Sequence, residues 1–118
     1  MAMHPNANEI HILSEGAVTV LDIRGDITAF SQATFGKAYL KANEQGAEKI
    51  LMKIEKKAYI NSGGIAVLIQ ILAQTRSNDQ RVAITGISEH FKKIFKMVGI
   101  TKFAEIFDSP DDAIQALG

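Results

Sequence analysis

The chain has no cysteine and no tryptophan, only two prolines, no excess of either charge, and no long apolar run. Without cysteine there is no disulfide, no thiolate metal site and no thiol nucleophile, which suits a reducing compartment and makes the cytoplasm the expected location. Thirteen basic side chains cancel thirteen acidic ones, so no global field draws the protein to nucleic acid or to an anionic membrane. Any partner has to be chosen by local surface. No apolar stretch approaches the roughly 18 to 20 residues of a membrane span, and the opening Met1–Asn8 lacks the basic-then-apolar order of a secretory signal. A soluble protein is expected, with residues 1–8 a flexible N-terminal segment.

What is present fits a single domain over residues 1–118. Residues 9–13 and 17–24 are short, β-branched and apolar, and Ser14-Glu15-Gly16 between them predicts a tight antiparallel hairpin. In the second segment Val18 and Val20 point one way and Leu21 and Ile23 the other, so that strand is expected to be central and either covered on both faces or bulged. Phe35, Ala38, Tyr39 and Ala42 fall at helical spacing from about Ser31 to Gln45, and Gly46 is placed to end that helix.

Ile50–Ile54 reads as a strand, and about Ser62 to Arg76 as a second helix. Ile65, Leu68, Ile69 and Leu72 form its stripe, and Val67 and Ile71 widen it. So broad an apolar surface needs more than one neighbour to cover it. Arg81–Thr85 is a further strand. Ser88 then caps a helix with Phe91, Ile94, Phe95 and Val98 on one face, Lys92, Lys93 and Lys96 outward, and Gly99 at its end. Residues 103–107 suit a last short strand. Ser109-Pro110-Asp111-Asp112 has the cap, first-turn proline and acidic start of a final helix through Leu117. Strands alternating with helices after a hairpin predict an α/β fold, a mixed and largely parallel sheet packed by about four helices.

The residue that most needs explaining is Ser62. It sits where an apolar strand passes through a polar and glycine turn into an apolar helix. Backbone N–H groups in a first helical turn lack internal partners and carry partial positive charge, so a hydroxyl there occupies a place suited to an anion. Taken alone, it is a helix-start serine bonding locally.

A hydrolase elbow, Gly-x-Ser-x-Gly, is only half matched: Gly64 fits the last position and Ile60 occupies the first. His4 and His11 precede Ser62 and only His90 follows, which leaves a small serine hydrolase as a weak alternative. The histidines have no metal-ligand spacing, and Asp108, Asp111 and Asp112 are explained as helix-start charges, so neither metal nor cofactor is expected. Lys92, Lys93 and Lys96 are explained as a solvated helix face. No Gly-rich phosphate loop occurs, and Asn61–Gly64 is too short to enclose a nucleotide.

The order of strand, Asn61-Ser62-Gly63-Gly64-Ile65, apolar helix, strand, then a Phe- and Lys-bearing helix ending in Gly-Ile resembles the STAS domain, the sulphate transporter and anti-sigma factor antagonist family. That family's signature is Asp-Ser-Ser-Gly followed by an aliphatic residue. Supporting matches are Gly25-Asp26-Ile27, Ile84-Thr85-Gly86 and the run from Phe95 to Phe107. The resemblance implies a cytoplasmic, non-enzymatic regulator. Unmodified, it would bind an anti-sigma factor that is also a serine kinase and so free a sigma factor. Phosphorylation of Ser62 would reverse this, with Asn61, Ser62, Gly63, Gly64 and Ile65 on the contact surface. The sequence departs from the family pattern in having Asn61 for the leading aspartate and Gly63 for the second serine. A scaffold subunit of a larger STAS assembly, without the switch, is the alternative within the same fold.

Overall fold

The computed structural model describes residues 8–118. The chain runs β1 (Glu9–Glu15), β2 (Val18–Arg24), a 3-10 turn (Ala29–Ser31), α1 (Gln32–Glu44), β3 (Lys49–Ile54), α2 (Ser62–Ser77), β4 (Arg81–Thr85), α3 (Glu89–Met97), β5 (Glu105–Phe107) and α4 (Pro110–Leu117). The five strands lie side by side in sequence order. The hairpin pair β1–β2 is antiparallel and the remaining three pairs are parallel.

That order decides where the helices go. Right-handed crossovers between successive neighbours of a sheet that never reverses direction must all pass over the same face. Phe35, Tyr39 and Ala42 of α1, Val67, Leu68, Ile71 and Leu72 of α2, and Phe91 and Phe95 of α3 accordingly share one core with Leu21, Ile23, Ile50, Met52 and Ile84. The last helix follows the final strand, is bound by no crossover, and closes the opposite face. Its Ala113 and Leu117 pack with Val18, Val20, Leu51 and Ala83.

The split of valines from Leu21 and Ile23 is thus the two-faced burial of β2, whose register with both neighbours carries no bulge. β2 is internal, but the middle place belongs to β3, because the hairpin puts β1 outside β2 and leaves two strands beyond β3. Gly46 and Gly99 both adopt left-handed conformations at helix ends, with φ of 81° and 86°.

Three expectations need correction. The buried line of α2 is Gly64, Val67, Leu68, Ile71, Leu72 and Thr75, a regular three-and-four spacing. Ile65 and Ile69 flank it and are only half-buried. Val98 is 45% exposed, because α3 stops at Met97 and Val98 is its C-cap rather than part of the inward face. Asn8 is held at the sheet rather than free: its side-chain amide donates to the carbonyls of Arg24 and Asp26. The rest of the expected flexible segment, residues 1–7, lies outside the described residues.

Lys92 is outward but not free. It bridges Glu89 and Asp108, tying α3 to the loop before α4. The hydrogen bond that Lys92 donates to Asp108, then the one it donates to Glu89, raises the Lys92 pKa, and the same ammonium lowers that of Asp108. Among the described residues no helix is long and apolar enough to cross a membrane.

Candidate functional site

Beyond the ends of β2 and β3 the chain forms two loops that hold each other. The loop after β3 is extended at Ala58-Tyr59-Ile60, so alternate side chains face opposite ways. Ala58 and Ile60 are buried and Tyr59 stands 61% exposed. Ile60 pairs with Ile27 as an isolated parallel bridge. The N–H of Ile27 donates to the Tyr59 carbonyl at 2.9 Å, and the N–H of Asn61 donates to the Ile27 carbonyl at 3.2 Å. Side chains close the same seam: Tyr59 N–H donates to Asp26 Oδ1 at 2.9 Å and Gly25 N–H to Glu55 Oε1 at 2.8 Å. The loops are in effect a short extension of the sheet, which gives α2 a fixed base.

Asn61 is the N-cap of α2. Its Oδ1 accepts from Gly64 N–H at 2.8 Å while its backbone carbonyl accepts from Ile65 N–H. Ser62 is the first helical residue, with its side chain exposed. Among the described hydrogen bonds, the N–H groups of Ser62 and Gly63 have no acceptor within the protein, so they remain available to an oxyanion carried on Ser62 itself. Asn61→Ala is expected to cost about 1 kcal/mol of stability through loss of this cap, read as a lowered urea midpoint at unchanged slope.

The two glycines after Ser62 have distinct reasons. A Cβ on Gly64 would stand 2.0 Å from the Ile27 carbonyl oxygen, and one on Gly63 would stand 2.9 Å from both Cβ and N of Ala29. The first turn of α2 therefore lies directly on residues 27–29. Gly64, expected on the contact surface, instead faces inward and is buried, because that close approach needs a residue with no side chain there. Gly63 is half-covered by Ala29, Ile65 is half-buried, and Ser62 is the one member of the Asn61–Ile65 group that is exposed.

Phe30 and Tyr59, not anticipated from the sequence, also belong to this surface. Phe30 follows the Ala29 that packs on Gly63 and is 76% exposed. Its trace in the sequence is the Thr28-x-x-Ser31 spacing, which marks a local cap and leaves the residues between off any buried stripe. The Ser62 hydroxyl has no described hydrogen bond to a histidine. His11 pairs with Glu9 on β1, and His90 stacks edge-on against Phe91. His4 lies outside the described residues. The four described cavities, of about 230 to 370 Å³, do not include Ser62 in their linings.

The family model of the STAS domain matches residues 9–113. This chain belongs to the STAS domain family. The anti-sigma-B factor antagonist of Staphylococcus aureus strain NCTC 8325 is 19% identical over 78 residues, covering 66% of this chain and 72% of that protein. The crystal structure of an anti-sigma factor antagonist from Mycobacterium paratuberculosis superposes with a TM-score of 0.79 at 15% identity over 98% of each chain. The Bacillus cell fate determinant SpoIIAA in its phosphorylated form gives 0.66 at 15% identity, over 95% of this chain and all of that one.

The mixed five-stranded sheet with four helices is thus the fold of this family. Both departures from its signature have local explanations in this STAS domain. Asn61 supplies the capping oxygen that an aspartate would supply, without the charge. Gly63 leaves room for Ala29 to close over the helix mouth.

Proposed function

We propose that this STAS domain is an anti-sigma factor antagonist acting in the cytoplasm. In this reading the unphosphorylated form binds an anti-sigma factor that is also a serine kinase, releasing a sigma factor, and phosphorylation of Ser62 ends the association. The observation that carries the reading is the exposed Ser62 hydroxyl at the first position of α2, on a rigid two-loop base with free first-turn N–H groups.

The physics of the switch is local. Phosphorylation adds about −1.5 to −2 charge and three acceptor oxygens. Within the folded domain the helix terminus tolerates that charge. In a complex, the same charge is carried into a contact that had accommodated a neutral hydroxyl. The complex is lost while the fold is kept.

Intact-mass measurement after incubation with ATP and the cognate anti-sigma kinase tests this. A gain of one phosphate is expected in the natural protein and none in Ser62→Ala. No gain with a kinase active on a control substrate would count against the switch and favour a scaffold role.

A further inference from the structure

Asn8 stands one position beyond the last pair of the β1–β2 ladder, Glu9 with Arg24, yet its side chain is buried. Its Nδ2 donates to the carbonyl of Arg24 at 3.0 Å and to that of Asp26 at 2.9 Å. One amide group thus meets two carbonyl oxygens on either side of Gly25, whose φ of 93° turns the chain between them. The reverse orientation would aim the amide oxygen at both carbonyls, so the donors are fixed in place.

The turn held in this way is a junction. Asp26 Oδ1 accepts from Tyr59 N–H, and the next residue, Ile27, donates to the Tyr59 carbonyl and accepts from Asn61 N–H. Asn61 caps α2, and the Ile27 carbonyl is the group on which Gly64 rests. A continuous path of hydrogen bonds and covalent neighbours therefore leads from Asn8 through Asp26 and Ile27 to the residue before Ser62. Glu55 also holds the turn, through Gly25 N–H, but it belongs to the loop after β3 and moves with the loop that has to be placed. Asn8 ties the turn instead to the edge strand β1.

We propose that Asn8 is a positioning residue for Ser62: by tying the Gly25–Ile27 turn to β1 it sets where the mouth of α2 stands. The inference deepens the function proposed above, on which its kinase measurement rests. Without the tie the sheet and helices keep their core, but the two-loop base loosens, and a kinase has to order it on docking. That cost falls on binding rather than on phosphate transfer, because the hydroxyl itself is unchanged.

Amide hydrogen exchange and steady-state phosphorylation by the cognate anti-sigma kinase, on the parent protein, Asn8→Ala, Asn8→Asp and Gln80→Ala, test it. Asn8→Asp keeps the shape and removes both donors. Gln80 joins Tyr39, Asn43 and Ala47 at the other end of the sheet, so Gln80→Ala controls for a general loss of stability. In both Asn8 variants the N–H groups of Ile27 and Asn61 are expected to exchange about tenfold faster or more, relative to Met52 and Ile84 in the central strands. KM for the protein should rise about fivefold or more with kcat within about twofold of the parent, and Gln80→Ala should move neither. Parent-like relative exchange in Asn8→Asp, or the same change in Gln80→Ala, would reduce Asn8 to ordinary stability and overturn the proposal. Parent-like KM in the Asn8 variants despite faster exchange would overturn it too, since the base would have loosened with no effect at Ser62. A parent protein that takes no phosphate would remove the switch, and the relative exchange at Ile27 and Asn61 would then decide alone for or against Asn8.

Discussion

Gly64→Ala is expected to destabilise the protein by roughly 3 kcal/mol or more, lowering the melting temperature by about 10 °C or more. The new methyl carbon would stand 2.0 Å from the Ile27 carbonyl oxygen and 2.5 Å from its carbon. Both are backbone atoms, so no side-chain rotation relieves the overlap. Relief requires lifting the first turn of α2 off residues 27–29. That movement strains the two hydrogen bonds of Ile27, donated to Tyr59 and accepted from Asn61, which join the loops.

Gly63→Ala provides the comparison. Its methyl would stand 2.9 Å from both the Cβ and the backbone N of Ala29, a milder overlap than at Gly64 but one that the capped turn must still move to relieve, so a smaller loss of about 1 to 3 kcal/mol is expected. Urea unfolding of both variants checks the order. Gly64→Ala within 1 kcal/mol of the parent would mean that the helix mouth is not seated on the β2–α1 loop as described.

Ser62→Asp is expected to weaken binding to the anti-sigma kinase at least about thirtyfold, while Ser62→Ala binds as the unmodified protein does and accepts no phosphate. A charge brought into a desolvated contact without a partner costs about 2 kcal/mol or more, and each 1.4 kcal/mol is tenfold in Kd. Lost binding cannot be traced to unfolding, since an acidic residue in the first turn of a helix is favourable by about 0.3 to 1 kcal/mol. Ser62→Asp should therefore melt at or slightly above the parent temperature. Titration calorimetry and thermal melts on the same preparations give both quantities. Equal affinity of the aspartate and alanine variants would remove the electrostatic basis of the switch.

Both predictions concern the same few residues, and these were unequally legible in the sequence. Asn61 and Ser62 could be read as cap and helix start because both roles depend on neighbours within three or four positions along the chain. Ser109 and Pro110 at the start of α4 were legible for the same reason. Gly64 could be recognised as part of the motif, but its burial depends on Ile27, which lies 37 residues earlier in the chain. No local pattern announces that contact. Phe30 was missed because a phenylalanine between a strand and a helix is ordinarily core. Only the turn closed by Thr28 and Ser31 turns it outward.

The sequence by itself determined the alternation of strands and helices, the helix caps and the glycine stops, and narrowed β2 to a strand either covered on both faces or bulged. These follow from side-chain periodicity and from hydrogen bonds that close within a turn. Tertiary structure alone decided that β3 takes the middle of the sheet, that α4 covers the face opposite the other three helices, and that the loops around Ile27 and Ile60 lock into one base. Those outcomes depend on which distant segments compete for the same apolar surface and backbone partners, a competition settled only when the whole chain packs.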